Sequence, residues 1–205
     1  MASRIRNPLE LSSNQLAKRE RIIEAAVSVL LDQGVSSCTV RTIAGVAKTS
    51  KGIVHYYFSD IDEIIDAAML KAVTLWREFF SVSQPGDGQV DLSRSRKDFW
   101  EFIDKSMEPF SKGDKTMMPL LLEYWALSVR RQRISQLQQV QSVLVDLVAD
   151  LLDRCQIEDP PGCALSVTSY LIGVTMVEAA APVSKSEVIA TVANITGIEI
   201  EPGGR

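Results

Sequence analysis

The chain has 205 residues, of which 46% are hydrophobic, 6% aromatic and 23% charged, with 11 Gly, 8 Pro, 3 Cys and a net charge of -4; these proportions exclude disordered, collagen-like and disulfide-stapled proteins and leave a globular chain long enough to build its own core. No apolar run reads as a membrane span, since the richest one is interrupted by Ser166, Thr168, Ser169 and Glu178, and Arg4 and Arg6 have no apolar segment behind them to make a secretory signal, so a cytoplasmic protein is expected. Cys38, Cys155 and Cys163 lack metal-binding spacing and read as reduced thiols, and with His55 as the single histidine no metal site or cofactor is expected.

The first helix is expected from Ser13 or Asn14 to about Gln33, with Ile23, Ala26, Val27 and Leu30 on one face and Gly34 ending it. Thr39 caps a short second helix carrying Val40, Ile43, Ala44 and Ala47, and Lys48 and Thr49 form a turn. Ser50 caps a third helix, to Phe58, whose buried side is Val54, Tyr57 and Phe58. Asp60 with Glu63 predicts a capping box for a long fourth helix with the stripe Ile61, Ile64, Ile65, Ala68, Ala72, Leu75, Trp76 and Phe79. Val82 to Ser93, with Pro85, Gly86 and Gly88, is expected to be a loop.

Helical periodicity then returns through Trp100, Ile103, Met107 and Phe110 up to Gly113, and through Leu120, Leu121, Tyr124 and Ser128 after Pro119. A longer helix is predicted from about Arg133 to Arg154. Pro160 and Pro161 break the chain before an apolar helix running to Ala181, and Ser184 with Glu187 predicts a capping box for the last helix. No useful strand alternation appears, so the fold is expected to be all-α, with a small module over 1–59 and a helical body over 60–205.

Charge divides the chain at the same place. Residues 1 to 58 hold eight basic and four acidic side chains, a net of +4, whereas the rest carries -8. A basic module on an acidic body suits a polyanionic partner. Two short helices, Thr39 to Ala47 and Ser50 to Phe58, joined by a tight turn, have the dimensions of a helix-turn-helix, whose second helix enters the major groove while the first and its flanks grip the backbone. Thr49, Ser50 and Lys51 open the second helix, Gly52 permits close approach, Ile53 suits a thymine methyl, and His55, Tyr56 and Tyr57 offer donors to phosphate. The alternative is an ordinary helical corner in which Tyr57 and Phe58 are core.

Residues 19 to 69, RERIIEAAVSVLLDQGVSSCTVRTIAGVAKTSKGIVHYYFSDIDEIIDAAM, resemble the DNA-binding domain of TetR-type transcriptional repressors, and GIVHYYF is nearest to the BetI-like branch. The resemblance implies a dimeric, all-helical repressor that binds a palindromic double-stranded DNA operator and is released by a small-molecule effector. It places Thr39 at a cap and a phosphate, Arg41 near guanine, Lys51 to Ile53 in the groove, and His55 and Tyr57 at phosphate-contact positions. The chain departs from the family where Lys48 replaces the turn glycine, where His55 replaces a common tyrosine, and where Ile61 stands in place of a phosphate-contacting lysine. Lys48 is therefore expected to take a left-handed conformation or to change the turn, and to supply replacement charge.

The body has no comparable motif. Trp100, Met107, Phe110, Met118, Leu121, Tyr124, Trp125, Tyr170 and Met176 are candidates to line an adaptable apolar cavity, with Glu178 as a counter-charge for a cationic ligand; each is equally an ordinary core or surface residue. The helices near 161–181 and 184–196 carry more apolar surface than one chain covers and are expected to form a homodimer interface. A regulator without a small-molecule ligand, and a small helical enzyme using His55, are the alternatives, the latter without a supporting constellation. Asn194-Ile195-Thr196 is a chance sequon.

Overall fold

Residues 11–81, 91–107, 117–178 and 180–199 are described in a computed structural model of the chain; among them there are nine α-helices and a short 3-10 turn, and no strand. Helix α1, Ser13–Gln33, starts where the Ser12 N–H donates to Gln15 Oε1 at 3.0 Å and stops at Gly34, whose φ of 79° lies in the region that favours glycine. All four residues of its expected stripe are buried, with Ile22, Ala25 and Val29 beside them.

After the 3-10 turn Val35–Ser37 come α2, Val40–Val46, and α3, Lys51–Tyr57. Ile43 and Ala44 from α2, and Val54, Tyr57 and Phe58 from α3 and its end, close the core of this small module against α1.

Helix α4, Ile61–Ser81, packs on α1, α6 and α7 and so belongs to both halves of the molecule. Its start differs from the expected box: Asp60 Oδ1 accepts from the Glu63 N–H at 2.8 Å, but the Glu63 carboxylate reaches the Ser59 N–H and hydroxyl, both at 2.8 Å, one residue earlier than Asp60. Its stripe also turns. Leu75 and Phe79 are exposed, and Met69, Val73 and Phe80 take core positions; near the end of the helix Trp76 and Phe80 pack on the ring of Phe102 at 5.3 and 5.5 Å.

Helix α5, Leu92–Ser106, begins inside the expected loop, since Asp91 accepts from the N–H groups of Ser93 and Arg94 at 3.1 and 3.2 Å and nucleates the first turn. Residues 82–90 of that loop lie outside the described residues, as do Phe110 and Gly113. The body is completed by α6, Met117–Arg130, α7, Ile134–Arg154, α8, Pro160–Glu178, and α9, Lys185–Thr196.

Helix α8 ends at Glu178, three residues earlier than expected. It is also long and apolar enough to cross a membrane, contrary to the reading of the sequence: the polar residues spread along it leave its mean hydropathy at 1.3. Its inner side packs on α6, α7 and α9, yet only 33% of it is buried. At α9 the expected capping box is absent, because the Ser184 hydroxyl pairs with Ser186 Oγ at 2.8 Å and makes no cap hydrogen bond.

Candidate nucleic-acid interface and ligand cavity

The two short helices are held by side-chain caps. Thr39 Oγ1 accepts from the Thr42 N–H at 3.1 Å, and Ser50 Oγ accepts from the Ile53 N–H at 3.3 Å, so each hydroxyl fixes the start of its helix. Between them Lys48 has φ 50°, the left-handed conformation expected of a residue standing in for glycine. The Lys48 N–H donates to Gly45 O at 3.2 Å and the Thr49 N–H to Ala44 O at 3.0 Å, which closes the turn. Its strain is balanced by those bonds and by burial of Ala47 and Ala44 beneath it.

This framework leaves Thr39, Arg41, Lys48, Ser50, Lys51, Gly52, Ile53 and His55 exposed together, with Thr49 half-buried. Ile53 is 41% exposed and serves no core. Gly52 has no steric duty within the fold either: a Cβ there would meet nothing nearer than Ser50 Oγ at 3.8 Å. A bare backbone flanked by Lys51 and Ile53 at a helix start suits the close approach of a DNA groove.

Two of the sequence candidates sit elsewhere. Tyr57 is 5% exposed and packs in the core, so the ordinary helical reading holds for its ring; at i+3 from Val54 it falls on the inner face. Tyr56 is half-buried, its ring edge-on to Tyr57 at 4.9 Å and its hydroxyl accepting from Gln15 Nε2 at 3.1 Å, which ties α3 to the start of α1.

Ion pairs to α4 engage three charged residues of α1, Arg19, Glu20 and Glu24. Glu20 and Glu24 of α1 are both engaged by Lys71 of α4, and Arg19 lies over the Phe58 ring at 4.6 Å and pairs with Glu63 at 3.5 Å. Arg41, Lys48 and Lys51 remain exposed on the helix-turn-helix. Lys48 and Arg21 also border a shallow depression between α1 and the turn.

In the body, α6 contributes Met118, Leu121, Leu122 and Trp125 to a small cavity, α7 contributes Val140, Gln141 and Leu144, and α8 contributes Ile172 and Thr175. The enclosed volume is about 20 Å³, close to the room needed for one water molecule. Of the expected lining, Met118, Leu121 and Trp125 are there. Tyr124 is fully buried but faces α4, Trp100 donates from Nε1 to Glu199 O at 3.3 Å, and Met107 caps the end of α5. Tyr170 is half-buried, Met176 is 58% exposed and Glu178 ends α8; none of them reaches the cavity, because α8 presents Ile172 and Thr175 to α6 and α7. The lining not expected from the sequence is mostly aliphatic, indistinguishable in pattern from core; Gln141, beside Val140 and Leu144, and Thr175 are its polar members.

Helix α6 has a second face. Its Glu123 carboxylate accepts the Val35 N–H at 2.9 Å across 88 residues of sequence, and a Cβ on Gly34 would lie 3.1 Å from the same carboxylate. The Tyr124 hydroxyl donates to Asp66 Oδ1 of α4 at 2.8 Å, and Arg133 Nε, just after α6, donates to Asp66 Oδ2 at 2.7 Å. Arg131 pairs with Asp62. Burial first, and the Asp66 hydrogen bond next, raise the pKa of Tyr124, so it remains a donor. One helix therefore holds both a cavity wall and, through Glu123 and Val35, a contact between the small module and the body, beside the packing of α1 on α4.

Residues 22–68 match the family model described as bacterial regulatory proteins, tetR family. The chain is 30% identical over 124 residues to the HTH-type transcriptional regulator BetI of Stenotrophomonas maltophilia (strain R551-3), a match covering 60% of each protein. It is 37% identical over 75 residues to the HTH-type nicotine-responsive transcriptional repressor HdnoR of Paenarthrobacter nicotinovorans, covering 37% of this chain and 38% of that one. The chain thus spans about 60% of the length of the BetI relative. Among solved structures, the multidrug binding protein EbrR complexed with proflavin superposes with a TM-score of 0.61 at 22% identity, covering 87% of this chain and 99% of that one. A TetR-family transcriptional regulator from Rhodococcus sp. superposes with a TM-score of 0.66 at 19% identity, covering 87% and 98%. These structures share the fold: an N-terminal helix-turn-helix domain followed by a helical domain.

Proposed function

We propose that the chain, whose residues 22–68 match the tetR family of bacterial regulatory proteins and which is 30% identical over 124 residues to a BetI regulator, is a transcriptional repressor that binds a palindromic operator as a homodimer and releases it when a small molecule occupies the α6–α8 cavity. The observation that carries the reading is the face of α2 and α3, where Thr39, Arg41, Lys48, Lys51, Gly52 and Ile53 are exposed together over a closed core. Phosphate contacts from Thr39 and Lys48 would set register, and Lys51, Gly52 and Ile53 at the start of α3 would meet base edges. We divide the chain at residue 59 into this reader and the regulatory body, and place the protein in the cytoplasm with its DNA.

Dimerisation is supported by the outer face of α8, where Leu165, Met176 and Val177 are 52%, 58% and 58% exposed. An isologous contact there sets two copies of α3 about one DNA turn, roughly 34 Å, apart. The effector reading is supported by two similar proteins, a nicotine-responsive repressor among the relatives and a multidrug binder crystallised with proflavin or ethidium among the structures of the same fold.

The mechanism is a shift between two spacings. A ligand larger than water must push α6 away from α7 and α8, and α6 carries Glu123 and Tyr124, so the small module and α4 move with it. An effector that favours the displaced state weakens operator affinity by the same factor by which the operator weakens effector binding. Selection from random DNA at low salt tests the reading directly: enrichment of a palindrome is expected, its loss with Lys51→Ala locates the reader, and failure to enrich any palindrome contradicts it.

A further inference from the structure

We propose that the cavity selects a compact, electrically neutral, largely apolar molecule bearing one hydrogen-bonding group, which Gln141 receives. The proposal rests on the effector reading above and names its ligand class. None of the lining residues is charged, and most offer only aliphatic, thioether or aromatic surface. Of the polar lining groups, Thr175 already donates from Oγ1 to Leu171 O at 2.9 Å and the Trp125 indole offers a donor alone, so the Gln141 carboxamide, with both a donor and an acceptor, is the polar handle.

Charge decides the class. A cation entering this site would lose its hydration with no carboxylate to meet it. Glu123 faces Val35, and Asp66 faces Tyr124 and Arg133, all on the far side of α6, while Glu178 is not on the wall. An anion meets no lysine or arginine. Size limits the ligand as well: the cavity must open from about 20 Å³, and the side chains able to give way are Met118, with its flexible thioether, and Trp125, 36% exposed at the margin.

The test uses the full-length chain and four probes: indole, toluene, tetraethylammonium chloride and sodium benzoate. Indole and toluene are expected to raise the melting temperature in a saturable way and to shift the Met118 methyl resonance, while neither salt exceeds sodium chloride at equal ionic strength. Gln141→Leu, close to the same size, is expected to weaken indole on the order of 2–10-fold and leave toluene unchanged or tighter. Gln141→Glu is expected to transfer the preference to tetraethylammonium.

The proposal is overturned if either salt stabilises the chain at lower concentration than the neutral probes, if neither neutral probe gives saturable stabilisation, if the shifts are confined to other methionines, or if Gln141→Leu weakens both neutral probes equally. Failure of the underlying reading looks different. Neutral probes that bind at Met118 yet leave operator retention unchanged contradict the effector reading and leave the ligand class in place; operator release by tetraethylammonium does the reverse.

Discussion

The small module and the body are built in opposite senses. In α2 and α3 the candidate side chains lie outside, exposed over a core of Ile43, Ala44, Val54, Tyr57 and Phe58 that is at most 5% exposed. In the body the cavity lies inside, with Met118, Leu121 and Trp125 of the expected residues on its wall, while α8 shows apolar Leu165, Met176 and Val177 to its surroundings. The charge split, +4 over residues 1–58 against -8 for the rest, follows the same division. Substitutions should therefore separate stability from function in the module and mix them in the body.

The sharpest break of that contrast compares two residues of the module. Phe58→Ala, at a site 1% exposed, is expected to destabilise the chain by about 3–5 kcal/mol in denaturant melts. Lys51→Ala should leave the melt within about 0.5 kcal/mol and instead cost about 1–3 kcal/mol of operator binding, with specificity relaxed at the base pair it reads. An equal loss of stability from both would abolish the distinction between core and reader.

Next comes the contact between the halves. Glu123→Ala leaves the buried Val35 N–H without its acceptor and is expected to cost about 1–3 kcal/mol; Glu123→Gln, which keeps an acceptor oxygen, should cost less. Both should blunt effector-driven operator release measured by fluorescence anisotropy, and an unchanged release ratio would remove α6 from the coupling.

A smaller effect is expected at the turn. Lys48→Gly relieves a side chain held at φ 50° and should raise stability by about 0.5–1 kcal/mol, while lowering operator affinity through a lost phosphate contact, read from the salt dependence.

The smallest effect concerns the thiols. Burial, with a lesser push from Glu123, raises Cys38 to about 12, and burial raises Cys155 to about 11. The folded state thus favours neutral thiols, a contribution present below the ordinary thiol range and lost as pH climbs through these values. Iodoacetamide at pH 8 should therefore modify half-buried Cys163 well before the other two, as peptide mass mapping will show.

Most of the module was legible because its boundaries are local events. Gly34, Thr39, Ser50 and the turn at Lys48 each stop or start a helix through their own backbone or hydroxyl, and the spacing of α2 and α3 follows. Even so, Tyr57 faces inward, since one turn of helix separates it from Val54. The body was legible as helices but not as a site. Leu122, Val140 and Leu144 become cavity walls only because three helices fail to close on one another, and aliphatic periodicity looks the same with or without that gap. The α4 stripe and the Ser184 cap went astray for different reasons: tertiary packing, including Phe102 against Trp76 and Phe80, selects the face of α4 that is used, whereas Ser186, a local neighbour two residues on, takes the Ser184 hydroxyl.

The central claim is that cavity and reader are one two-state system joined through α6. The most direct measurement is the distance between nitroxide labels on Gln33→Cys, exposed on the small module away from the proposed DNA contacts, in both copies of the dimer, by pulsed electron paramagnetic resonance, with Cys163→Ser to prevent stray labelling. The account predicts a single distribution set by one DNA turn, roughly 34 Å between recognition-helix centres, in the operator complex, and a displaced distribution when indole occupies the cavity. Identical distributions in the two states, with indole bound and operator released, would contradict it.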